Sequence, residues 1–209
     1  MVKKILVIDF SYIMYNVIKV YKDRVNLNEN PTLIWKMLEE DFGLNTNIVR
    51  YDARSYKEIV DLVCDLAKFN NITDYKVAMN MNEITKEMLA SKDTYEIINI
   101  DYFDDLYKIF RRSNNIDNLN WVNHLYHNDK IESYRWIKTI TSFVKDNYPE
   151  NTAVENKIKF ARDIIPQGTD ISIIITFSPQ FVPYEYKTLF DTLDIILRYA
   201  TLRSNNEEG

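Results

Sequence analysis

Three short runs of this chain are dominated by isoleucine and valine and have no helical period: Ile5-Leu-Val-Ile8, Tyr95-Glu-Ile-Ile-Asn-Ile100 and Ile171-Ser-Ile-Ile-Ile-Thr-Phe177. Runs of this length suit strands better than helices, and successive apolar residues fit strands buried on both faces. A sheet covered on both sides is therefore the frame into which the rest of the sequence must fit. The intervening segments supply the cover. Ile59, Leu62, Val63 and Leu66 stand at i, i+3, i+4 and i+7, the spacing of one helix face, and Ser55 and Glu58 precede them at capping-box spacing. Strand and helix alternate in this way through most of the chain. The pattern predicts an α/β fold with a largely parallel sheet flanked by helices.

Further strands are expected over 47–51, 75–79 and 134–140. Helices are expected over 12–21, 85–90 and 117–128. Asn30-Pro31 and Gly43 bracket another helix with start and stop signals. Thr152 and Glu155 have the spacing of a second capping box, opening a helix to about residue 163. A long helix is expected over 184–202, with Leu189, Leu193, Ile196 and Leu197 inward. Residues 1–203 read as one domain and 204–209 as a disordered tail.

Composition removes several classes of function. With 46% apolar and 27% charged residues the balance is that of a soluble globular protein. A net charge of −5 argues against nonspecific nucleic-acid binding, which draws on clustered Lys and Arg. The pair Arg111-Arg112 is too small to change that. Cys64 is the single cysteine, so neither an intramolecular disulfide nor a cysteine zinc site is expected. Three glycines leave no Gly-rich phosphate loop. No apolar run is long enough for a signal peptide or a membrane span, which predicts a cytoplasmic protein without membrane contact. Abundant Asn, Ile, Lys and Tyr fit an AT-rich genome such as that of a phage, in which case the host cytoplasm is the expected location.

Asp9, Asp52 and Asp101 each close a predicted strand. In an open parallel sheet such ends lie on one edge, where ligands bind. Converging carboxylates suit Mg²⁺ or Mn²⁺, hard ions that prefer oxygen. The competing reading is that these aspartates cap the helices that follow. Asp104 and Asp105 extend the acidic turn after Asp101. His124 and His127, at i, i+3, could share a helix face as a metal pair, but Trp121 and Val122 beside them point to packing. No Ser-His-Asp or Cys-His constellation is readable.

Four segments, in order, resemble the UPF0489 group of arginase-like proteins, which includes peptide arginases. They are Val7-Ile-Asp9-Phe-Ser11-Tyr12, Asn99-Ile-Asp101-Tyr-Phe103-Asp-Asp105, Asn120-Trp121-Val122 with Tyr134-Arg-Trp136, and Phe177-Ser178-Pro179-Gln-Phe181-Val-Pro183. The resemblance implies a ureohydrolase-like three-layer α/β fold. In active relatives it implies a binuclear Mn²⁺ site that activates water against a guanidinium carbon. Carried over by position, Asp101 and Asp105 are metal carboxylates, with Asp9 at the opening strand. Phe103 stands where the motif has a histidine, Ser11 where an opening histidine is expected, and Gln180 where a late acid is expected. The expectation is a degenerate member without a resident metal, a pseudoenzyme that serves as a binding or regulatory protein through the old active-site edge, its ligand a small molecule or another macromolecule such as a host or cognate protein.

The alternative is a Mn- or Mg-dependent hydrolase, either a peptide arginase or a phosphodiesterase. Ile5-Leu-Val-Ile-Asp9-Phe-Ser-Tyr12 also resembles the first strand of PIN-like and 5′-nuclease domains. In that case Asp9, Asp101, Asp104 and Asp105 form the acidic cluster.

Overall fold

The computed structural model describes residues 1–15, 40, 50–106, 116, 119–140, 142, 144–145, 147–179 and 181–206. Strand β1 (Val2–Asp9) leads into a 3₁₀ turn (Phe10–Ile13) and a two-residue strand β2 (Met14–Tyr15), which pairs antiparallel with β3 (Arg50–Tyr51). There follow α1 (Ala53–Phe69), β4 (Asn71–Ala78), α2 (Asn82–Ala90), β5 (Thr94–Ile100), α3 (Trp121–His127), β6 (Ile131–Ile137) and β7 (Thr152–Glu155). The chain continues through α4 (Lys159–Ile164), β8 (Asp170–Thr176), a 3₁₀ turn (Tyr184–Tyr186) and α5 (Lys187–Asn206).

Six strands form one sheet in the order β4-β8-β1-β5-β6-β7, every neighbouring pair parallel. The sheet is the middle of three layers, as the isoleucine runs require. On one face Leu6, Ile8, Ile98, Ile100, Ile173 and Ile175 meet Ile59, Leu62, Val63 and Leu66 of α1. Ala161 of α4 and Phe190, Leu193 and Leu197 of α5 complete that layer. On the other face Ile5, Val7, Ile97 and Ile174 meet Ile84 and Met88 of α2 and Trp121, Val122 and Leu125 of α3. Neighbours such as Val7 and Ile8 thus go to opposite layers, the alternation of a strand with no solvent face. Each such side chain contributes about 1.5–3 kcal/mol by leaving water.

Several local expectations are corrected. Thr152–Glu155 is strand β7, hydrogen-bonded to β6; the helix starts only at Lys159. The capping spacing there is coincidental: the segment is extended and pairs residue for residue with Tyr134–Ile137. Residues 12–15, expected in a helix, form the end of the 3₁₀ turn and β2. The strand expected over 47–51 is described only as Arg50–Tyr51 and lies outside the main sheet. Helix α1 is capped not by Ser55 but by Asp52, which accepts from Arg54 N at 3.0 Å and from the Ser55 hydroxyl at 2.7 Å. Helix α5 runs to Asn206, past the expected start of the tail at residue 204. The helix expected between Asn30 and Gly43 falls, apart from residue 40, outside the described residues, as does Gln180. Among the described residues no helix is long and apolar enough to cross a membrane.

Candidate functional site at the carboxyl edge of the sheet

From β1 the chain crosses to β4 on one flank and then returns through α2 to β5 on the other. In open α/β sheets such a reversal leaves a crevice at the carboxyl ends of the central strands. Here those ends carry acids. Ile8 is in register with Ile100, so Asp9 and Asp101 continue adjacent strands. Asp105 follows in the turn after β5, its backbone in the left-handed region at φ 51. Ser178, in the turn after β8, has φ 49. Two non-glycine residues in this sparsely populated conformation at one edge are held there by their surroundings.

The three carboxylates are almost wholly buried, with Asp9 at 5%, Asp101 at 3% and Asp105 at 1% exposure. Asp9 Oδ1 accepts from Ser11 N at 2.8 Å. Its Oδ2 accepts from the Thr176 hydroxyl at 2.7 Å and from the Ser178 hydroxyl. Asp101 Oδ1 accepts from the Ser11 hydroxyl at 2.7 Å and from Phe103 N at 3.2 Å. Asp105 Oδ2 accepts from Asn99 Nδ2 at 3.0 Å and from the Trp121 indole N–H. Asp105 Oδ1 is buried and has no hydrogen-bond partner.

Burial raises the pKa of all three acids. For Asp9 the hydrogen bonds from Ser178, Thr176 and Ser11 oppose the rise. Asp101 is lifted well above the usual carboxylate range, first by burial and then by the charge of Asp9. Asp105 is lifted well above it too, by burial and then by the charge of Asp101. Three ionised carboxylates without a cation in so dry a place would cost several kcal/mol each. The cluster therefore holds protons or a cation.

A second tier of hydrogen bonds orients the acids. Asn99 Nδ2 also donates to the Tyr134 hydroxyl at 3.0 Å, which donates to Asp104 O at 2.9 Å. Trp136 Nε1 donates to Asp101 O at 3.0 Å. Asp104 is turned to a different task. It pairs with Lys145 at 2.7 Å and accepts from the Tyr148 hydroxyl at 3.3 Å, tying the segment after β6 to the acidic turn. Phe103 packs against Phe181 and Tyr102, with ring centroids 4.6 and 5.1 Å away, and against the larger of the two apolar clusters.

Asp9, Asp101 and Asp105 are thus brought together, whereas Asp52 is a helix cap at β3, outside the main sheet. His124 and His127 lie on α3; His124 Nε2 is buried without a hydrogen-bond partner. Among the described residues no group of three or more His, Cys, Asp or Glu is arranged to hold a metal ion. Carboxylate oxygen suits Mn²⁺ or Mg²⁺ in kind. In each acid one oxygen already accepts two hydrogen bonds, and Phe103 has no ligand atom. Without that histidine the residues present are not the donor set the resemblance implies. Thr176 was not foreseen as a partner of Asp9; the signal was a hydroxyl residue closing an otherwise aliphatic run. No known protein family matches the chain, and neither does any curated protein or solved structure.

Proposed function

We propose that the chain is a degenerate arginase-like protein that has kept an α/β scaffold and its strand-end acids, lost hydrolase chemistry, and serves as a binding or regulatory protein. Phe103 carries this reading. At the position where the resemblance calls for a histidine, the side chain is a hydrocarbon ring packed on Phe181 and Tyr102. It offers no lone pair to a metal. Kinship with the arginase-like group is supported by the way the short matching segments converge. Asn99, Asp101, Asp105, Trp121, Tyr134, Trp136 and Ser178, scattered along the chain, all take part in one hydrogen-bonded site. The partner in this reading is a protein, a host component if the chain is phage-encoded. The test is purification in Mn²⁺-supplemented buffer, followed by elemental analysis and a urea assay on an arginyl peptide. Neither bound manganese nor urea is expected. About two Mn²⁺ per chain together with urea release would overturn the reading.

A second reading, a Mg²⁺- or Mn²⁺-dependent hydrolase of the PIN or 5′-nuclease kind, is favoured by one observation. Asp9 and Asp101 stand side by side at the ends of the central strands, where two-metal phosphodiesterases gather their acids. Metal-dependent cleavage of single-stranded or branched DNA that disappears in Asp101→Asn would establish it. Activity unchanged by that substitution would remove the proposed site.

A further inference from the structure

We infer that Asp9, Asp101 and Asp105 form a hydrogen-bonded brace that closes the carboxyl edge of the sheet in the place where the resemblance calls for metal. The inference rests on the reading above, that no binuclear centre forms here, and adds what the retained acids do.

The accounting is by lone pairs. A carboxylate oxygen has two, and a donated hydrogen bond uses the direction along which a cation would bind. Asp9 Oδ2 is filled by Thr176 and Ser178, Asp101 Oδ1 by Ser11 Oγ and Phe103 N, and Asp105 Oδ2 by Asn99 and Trp121. Asp9 Oδ1 takes Ser11 N, and Asp105 Oδ1 meets no N–H or O–H of a neighbour. One oxygen of each acid is thus taken up by two donors.

These donors come from separate parts of the fold. Ser11 lies in the turn after β1, Asn99 in β5, Thr176 at the end of β8, Ser178 in the turn beyond it, and Trp121 opens α3. Sequence separations of 90 for Ser11–Asp101 and 167 for Thr176–Asp9 show that the contacts are tertiary. The acids therefore join β1, β5, β8 and α3 at one edge through hydrogen bonds, as a structural cation does through its ligands. Retention of the acids after loss of the histidine follows. Removing one would strand the buried donors that face it.

The experiment compares thermal unfolding of the full chain and two variants, each with EDTA or with millimolar MnCl₂. Ser11→Ala/Ser178→Ala deletes two hydroxyl donors while leaving the acids. Its Tm is expected to fall by roughly 5–10 °C, equally with and without manganese. Asp105→Asn keeps the shape and an oxygen to accept from Asn99 and Trp121, while removing one buried carboxylate. Its Tm is expected to stay within about 2 °C of the parent or to rise. An unchanged Tm in the double serine variant would overturn the brace while leaving the non-catalytic reading intact. Collapse of Asp105→Asn would do the same. A rise in the parent's Tm with manganese that Asp105→Asn abolishes would overturn both. If the double variant fails to fold, Asp105→Asn and the manganese comparison still decide.

Discussion

Trp121 is buried among Val122, Leu125 and Trp136, yet its one polar atom is spent on Asp105. Replacing it by phenylalanine keeps most of the packing and removes the donor. A loss of about 1–3 kcal/mol is expected, measurable by urea denaturation. Phe103 allows a different test. Phe103→His restores the motif's missing ligand type, but the new imidazole would leave an apolar contact, and one oxygen of each acid would stay held by two donors. No tight Mn²⁺ binding is expected by titration calorimetry, and stability falls. The acids also set a pH dependence. Folded-state pKa values raised above the unfolded ones mean that the folded chain binds more protons. Their contribution is complete below the ordinary carboxylate range and is lost as pH rises toward the raised values. Asp105→Asn removes one of these titrations. Its stability relative to the parent is therefore expected to improve as pH increases from about 4 to 8 in a denaturation series.

Helix α1 covers one layer of the sheet, and its N-terminus depends on Asp52. Asp52→Ala is expected to cost about 1 kcal/mol, the usual value of a helix cap, read by urea denaturation and without effect on the acidic cluster. Elements of this kind differed in how far sequence disclosed them. β1, β5 and β8 were legible because burial on both faces leaves an unmixed aliphatic run, and α1 because Ile59, Leu62, Val63 and Leu66 mark a single stripe. β7 was not. Thr152 and Glu155 have helix-start spacing, and a four-residue strand carries too few residues to reveal a period of two. The cap of α1 was misplaced by three residues because Asp52 and Ser55 are both good caps, and only the backbone geometry separates them. Within the site, Asp9 and Asp101 were readable from their place at strand ends and Asp105 from the acidic turn and the resemblance, whereas Asp52, read by the same strand-end rule, is a helix cap. The donors to the three site acids were not readable, since Asn99, Thr176 and Trp121 reach them across the fold rather than along the chain.

For the molecule as a whole, the central position belongs to β1, which pairs with β5 on one side and β8 on the other. β4, which follows β1 in the main sheet, has no direct pairing to it and enters only through β8. One flank of the described sheet, β4 with β8 itself, therefore depends on a strand made late in the chain. A fragment ending before residue 170 is expected to lack cooperative unfolding and to aggregate, since it leaves one edge of β1 and all of β4 without partners; calorimetry and light scattering would check this. The same arrangement imposes a timetable on synthesis. While the chain leaves the ribosome, the first strand waits with one side open until some 160 further residues have emerged. During that wait Ile5-Leu-Val-Ile8 is an adhesive edge, open to pairing with any other exposed strand.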